Sequence, residues 1–350
     1  MTTEAGTLLL DTAARLFAQH ATPAILAAAE RGEFPDAAWD AVAAAGLPLA
    51  LVAEEAGGFG LPMAEALALL QVAGAHALPL PLAEAMLAHW LLAGAGLTAP
   101  TGVVTLTADP ALVLRREGAG WRLHGVAAAV PWARTAAAIA VLASHDGQSF
   151  VALPSTGFTV TPGENMAREP RDRVAFDAAL PASAVAPAPA GIAALPLHAA
   201  GAVARSLLIA GAMDTITAMT VQYAQERVQF GRPIGRFQAI QHNLAILAGQ
   251  SAAAAAAASL GAEAMAAGLR VPAMAAAKIR AGEAAGIAAG IAHQVHGAMG
   301  FTYEHRLHFF TKRLWAWRDE DGGEAEWSLL LGRHVAGRGA DRLWAEITAL

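Results

Sequence analysis

Three long stretches near the C-terminal end constrain the fold most. Gly201–Glu226, Phe237–Gly268 and Pro272–His296 each carry helical periodicity with little turn chemistry inside. Short connections between long helices point to an antiparallel bundle. Residues 178–204 and 237–262 contain no Asp, Glu, Lys or Arg, and the mean hydropathy is +0.43, so a membrane has to be considered. Pro181, Pro187, Pro189 and Pro196 interrupt the first of these runs. The second opens with Gln238, Gln241, His242, Asn243 and Gln250 and is then mostly alanine, a strong helix former but weakly apolar. Both therefore read as soluble, and no membrane partner is expected. Glu4 and Asp11 stand where a secretory signal would be basic, so the expected location is cytoplasmic.

The rest of the chain divides by pattern. Residues 1–98 read as helical, with apolar spacing over Leu8–Phe17 and Met63–Leu78 that ends at Pro79 and Pro81. Between these runs, Gly46–Pro62 with its "EEAGGFGLP" reads as a connection. Residues 99–190 alternate short apolar runs, such as Val103–Leu106 and Ala136–Leu142, with turn residues, which predicts a small β domain. A proline-rich linker over 181–196 leads into the helices of 191–350. The expected fold is α+β, mostly α: an N-terminal helical domain (1–98), a small β-barrel domain (99–190) and a C-terminal four-helix bundle (191–350).

Composition removes several function classes. The chain has no cysteine, which excludes disulfide scaffolds, thiolate metal sites and cysteine nucleophiles. A net charge of −6 without a basic block argues against nucleic acid as a partner. No Gly-x-Ser-x-Gly elbow and no Walker loop is present, and the internal "LPSTG" at Leu153–Gly157 matches a sorting string by chance. His293, His296, Glu304, His305 and His308 form a histidine-rich stretch. An i, i+3 His pair can bind metal, but capping and core roles for these histidines are favoured, and no metal is expected.

The segment "YAQERVQFGRPIGRFQAIQHNLA" (Tyr223–Ala245) carries more chemistry. It presents guanidinium, aromatic and amide side chains between two helices, a set suited to a phosphate or pyrophosphate attached to a flat heterocycle. Taken whole, it resembles the second signature of the acyl-CoA dehydrogenase family. "GLPLALVAEEAGGFGLPMAEAL" (Gly46–Leu67) is similar to the family's N-terminal glycine-rich segment, and "HQVHGAMGFTYEHRLHFFTKR" (His293–Arg313) to its Gln-x-x-Gly-Gly-x-Gly segment. The three occur in the family's order, and the resemblance as a whole covers nearly the full chain.

The resemblance implies an acyl-CoA dehydrogenase-like fold, FAD as cofactor, an acyl-CoA substrate and an electron-transfer flavoprotein as acceptor. It also implies a homo- or heterotetramer, α2β2 in the latter case. The reaction implied is α,β-dehydrogenation of the thioester, with a carboxylate taking the α-proton and flavin N5 the β-hydride. Arg227 and Gln229 would reach the pyrophosphate of a neighbour's FAD, with Phe230 packed against it. Phe237 and Gln238 would meet its adenosine half, and Gln294, Val295, Gly297 and Ala298 would line it from the other side, Ala298 replacing a usual glycine.

The pattern also departs from the family. Where one branch keeps its glutamate base, at the start of the bundle, this chain has Gly201. Where the other keeps a Glu-Gly pair, it has Asp321-Gly322, with Glu320 and Glu324 as substitutes in reach. The flavin-holding loop of the β domain reduces to Thr107-Ala108-Asp109-Pro110. The family's Trp-Ile-Thr becomes Ala129-Val130-Pro131, with Trp132 next door. A family arginine is replaced by Ala202, and Arg205, one helical turn on, is the candidate substrate contact. These departures resemble short, divergent subunits of bacterial heteromeric sterol-side-chain acyl-CoA dehydrogenases. Two readings stay open: an active dehydrogenase, or a non-catalytic partner that completes the FAD site of another subunit.

Overall fold

The computed structural model describes residues 3–348, which form two compact units. One holds Ala27–Ala66 and Pro79–Gly201; the other holds Thr7–Leu26, Leu67–Leu78 and the chain from Ala202 onward. Ahead of the strands come α1 (Glu4–His20), α2 (Pro23–Glu30), α3 (Asp36–Ala44), α4 (Met63–Ala75) and α5 (Leu82–Gly94). The periodic runs at Leu8–Phe17 and Met63–Leu78 are thus α1 and α4. The glycine-rich connection holds only two single 3-10 turns, Leu47–Leu49 and Glu54–Ala56.

In the first unit an eight-stranded sheet is built from β1 (Val104–Thr107), β2 (Val113–Glu117), β3 (Gly120–Pro131), β4 (Ala138–His145), β5 (Gln148–Ala152), β6 (Phe158–Thr161), β7 (Arg171–Leu180) and β8 (Val185–Pro187). The order is β6-β7-β3-β2-β4-β5-β8, with β1 parallel to β4 from the register Val104↔Ala138. Alternate residues of β7, namely Val174, Phe176, Ala178 and Leu180, enter the core with Leu123, Val141 and Trp121, as a half-buried strand requires. The segment read as a linker, 181–196, does more than connect. Its Val185–Pro187 pairs with β5 as an end strand, a position that tolerates proline because no further ladder bond is needed there. The shortened Thr107–Pro110 segment closes as a tight turn: Asp109 Oδ1 accepts the Ala111 N–H at 2.9 Å, and the Leu112 N–H reaches the Asp109 carbonyl at 3.0 Å.

The bundle consists of α6 (Ala194–Glu226), α7 (Gln238–Ala266), α8 (Val271–His296), α9 (Leu307–Asp319), α10 (Glu324–Arg338) and the short α11 (Leu343–Thr348). A small hairpin, β9 (Val228–Gln229) and β10 (Arg232–Pro233), joins α6 to α7. α6 begins seven residues before the expected Gly201, because Pro196 lies in the first turn, where its missing N–H costs nothing. Alanine and glycine let these helices approach closely. A Cβ on Gly74 of α4 would strike the Leu208 carbonyl of α6, and one on Gly211 would strike the Gln71 carbonyl. Both α6 and α7 are long and apolar enough to cross a membrane, but α6 is mostly buried inside the protein, as the core helix of a soluble protein is. Most of the apolar window of α7 is not buried.

Candidate functional site

The expected site residues fall on three features of the second unit. The first is the limb between α6 and α7. The register Gln229↔Arg232 closes a two-residue loop of Phe230 and Gly231, both with positive φ (52° and 77°), the turn form that matches strand twist. Phe230 at its tip is 93% exposed. Arg232 lays its guanidinium 4.3 Å from the centre of the Phe237 ring, and Phe230 meets the same ring edge-on at 6.1 Å. Gln241 Nε2 donates to the Gly235 carbonyl at 3.1 Å and ties the loop to α7. Arg227, Gln229 and Gln238 are exposed along this limb.

The second feature is the end of α8. Gly297 terminates the helix at φ 58°, ψ −140°, a conformation suited to glycine, and the chain continues through a 3-10 turn, Gly297–Phe301. Gln294, Gly297 and Ala298 are exposed, whereas Val295 is turned into the core. The histidines here serve packing. His293 accepts from or donates to Thr311 Oγ1 through Nε2 at 2.9 Å and stacks on Phe301 and Trp315. His296 donates its Nδ1–H to the Ala292 carbonyl at 2.8 Å, stacks on Tyr223 at 4.5 Å and meets His305 at 4.7 Å. Burial first, and neighbouring His305 and His308 second, hold His293 below the ordinary histidine range. Burial is also the leading cause for His296 and His305. Burial thus favours the neutral form of His293, His296 and His305, and through Tyr223 the cluster fixes the root of the limb against the end of α8. Among the described residues no group of three or more His, Asp or Glu is arranged to hold a metal ion.

The third feature is the acidic turn between α9 and α10. Asp321 adopts φ 51° and Gly322 φ 86°, left-handed values that Asp and Gly tolerate better than most residues. The buried Trp327 donates Nε1–H to the Asp321 carbonyl at 2.9 Å. Arg205, buried on α6, brings its Nε to 3.1 Å from Asp321 Oδ2 and to 3.1 Å from Glu320 Oε2. The candidate substrate contact and the candidate base are thus one ion-paired cluster. Glu324 faces elsewhere and accepts from Arg318 Nε at 2.6 Å.

One participant had not been singled out from sequence. Lys278 of α8 is only 1% exposed, and its Nζ donates to the carbonyls of Trp317 (2.7 Å) and Arg318 (2.6 Å) in the last turn of α9. Burial pulls its proton affinity down to about 8, against the opposing pull of Asp321. A signal was available: Lys278 and Lys312 are the only lysines in a chain that otherwise uses arginine.

The architecture and these features define a helical–sheet–helical protein with an aromatic and basic limb beside a glycine-ended helix. The model of the acyl-CoA dehydrogenase N-terminal domain matches residues 3–99, and that of the C-terminal domain matches residues 199–319. Acyl-CoA dehydrogenase IpdE2 of Mycobacterium tuberculosis is 33% identical over 320 residues, covering 87% of this chain and 89% of that protein. A variant of the Tcur3481–Tcur3483 steroid ACAD superposes with a TM-score of 0.85 at 27% identity, over 96% of this chain and 98% of that one. The ChsE4–ChsE5 complex from Mycobacterium tuberculosis shares the fold at a TM-score of 0.82 and 23% identity, over 96% and 98% of the two chains. The chain belongs to the acyl-CoA dehydrogenase family, and the oxidoreductase activity expected from its sequence is that family's activity.

Proposed function

We propose that this chain is a subunit of an FAD-dependent acyl-CoA dehydrogenase that works as a tetramer, either of identical chains or as one half of an α2β2 pair. The exposed limb carries the reading. A phenylalanine held in solvent on a left-handed backbone costs its own chain stability, and such strain persists where it serves a contact. The donor set fits a dinucleotide: Arg227 and Gln229 would hold the pyrophosphate, Phe230 would pack beside it, and Phe237 and Gln238 would meet the adenosine half. Gln294, Gly297 and Ala298 would line the other side. The exposed apolar side of α7, with Ile246 and Leu260, offers the neighbouring subunit a surface.

When bound, FAD accepts the hydride lost from Cβ of the thioester. Asp321 engages Arg205 through Oδ2 and so would take the α-proton on Oδ1. The likeness to a steroid ACAD supports a bulky, polycyclic acyl group, and an electron-transfer flavoprotein is the acceptor in this reading. A second reading has its own support. Arg205 closes on both carboxylates at once, which suits a subunit that only completes a partner's FAD site.

Absorbance spectroscopy separates the two. A yellow chain, purified alone, that bleaches with a steroid-derived acyl-CoA supports the catalytic reading. Flavin that appears only on co-expression with a homologous subunit supports the partner reading. In either case Phe230→Ser is expected to lose flavin while thermal stability stays within about 0.5 kcal/mol, as for other exposed positions. A Phe230→Ser protein that retains full flavin would remove the limb from the cofactor site.

A further inference from the structure

Lys278, Gly282 and Gly286 follow one another at four-residue spacing on α8 and so share one face. Each meets the acidic turn or its flanks. Lys278 binds the carbonyls of Trp317 and Arg318 just before the turn. A Cβ on Gly282 would collide with the Glu324 carboxylate just after it, lying 3.0 Å from Cδ. A Cβ on Gly286 would come to 3.1 Å from Arg318 Nη1, the partner of Glu324. Trp327 holds the Asp321 carbonyl, and Arg205 of α6 faces both carboxylates. The left-handed Asp321 is therefore tied on its N-terminal side, its C-terminal side and its own carbonyl.

We propose that this face of α8 is the positioning element of the acidic turn: Lys278 anchors one side, and the absence of side chains at Gly282 and Gly286 admits the Arg318–Glu324 pair that locks the other. Glu320 and Asp321 are thereby presented to Arg205 in a single arrangement. Lys278 and Gly282 act through the turn and touch no reacting atom. The significance of the element rests on the reading of this turn as the reacting one. Its geometry does not, so the two can fail separately. Around Lys278, the carboxylates of Asp321, Glu320 and Glu324 favour the ammonium and outnumber the one guanidinium of Arg205, so they oppose part of the burial cost.

The test compares two identical substitutions on one helix in the full chain. Gly282→Ala intrudes on Glu324, whereas Gly290→Ala, two turns on, meets nothing within 4 Å. The readout is the Arg205 Nε–Hε resonance, assigned by its loss in Arg205→Lys. In the parent protein and in Gly290→Ala this proton is expected to exchange slowly with water, because Arg205 is buried and ion-paired. In Gly282→Ala its exchange is expected to be about tenfold faster or more, as for a group whose local structure opens. Equal exchange in all three proteins, or equal acceleration in both variants, would overturn the proposal. Should Gly282→Ala fail to fold, Lys278→Met probes the same seat from the other side, and an unchanged Arg205 Hε there overturns it as well. Accelerated exchange without any acyl-CoA ever bleaching the flavin would leave the positioning element standing and remove only the reaction assigned to the turn.

Discussion

Arg205→Met is expected to destabilise the chain by on the order of 3 kcal/mol, the lower end of what removing one partner of a buried ion pair costs. The lower end applies because the two carboxylates keep some water: the Glu320 side chain is 17% exposed and that of Asp321 30%. Methionine fills much of the arginine volume, so the loss is electrostatic more than a cavity effect. Two carboxylates then face each other across a cation that is gone. Adding Glu320→Gln and Asp321→Asn to Arg205→Met should recover most of the loss, because neutral amides have no charge to leave uncompensated. Arg205→Lys should recover only part, since one ammonium cannot reproduce the planar donor set that meets two carboxylates. Chemical unfolding followed by tryptophan fluorescence reads this directly, because Trp317 and Trp327 flank the turn. An Arg205→Met protein as stable as its parent would mean that the turn is open in solution, and would weaken every role assigned to Arg205.

That cluster also shows where the sequence stops being legible. The turn at 227–238 and the glycine-ended helix at 294–298 could be placed in advance, because each is one continuous segment whose own residues dictate its backbone. Arg205 and Asp321 lie 116 residues apart. Periodicity places each on its element but cannot say that the two elements bring them together, so they were assigned separate roles. Lys278 was masked for a different reason. It lies in an alanine-rich helix, where composition gives no direction to the inward face, and its partners are backbone carbonyls, which no side-chain pattern reveals. Prolines misled in the other direction. Pro181–Pro196 read as a plain linker, yet the same stretch holds an end strand and the first turn of α6, two places where a missing N–H does no harm.

Lys278 leads to the other large effect, and its sign is opposite to that of most charged residues. The unfolded chain keeps the ammonium proton up to its ordinary 10.5, while burial makes the folded protein release it near 8. Between these values the unfolded state binds more protons, so stability should rise with pH across that window. Below pH 8 both states are charged and the burial cost is felt in full. The span of 2.5 pH units corresponds to ~3 kcal/mol, taken as an order of magnitude. Lys278→Met deletes this cost but also leaves the Trp317 and Arg318 carbonyls without their donor, at roughly 1–3 kcal/mol each. The two effects nearly cancel at neutral pH, so the variant should lie close to its parent there. At pH 10 the parent has shed the proton, and its neutral amine still donates to both carbonyls, whereas methionine donates to neither. The variant should therefore be less stable than the parent in alkali by ~3 kcal/mol or more. Unfolding curves of both proteins between pH 7 and about 10.5 give the difference, the window being set by the two proton affinities. A difference that does not change with pH would show that Lys278 keeps an ordinary proton affinity, and hence that water reaches the seat beneath the acidic turn.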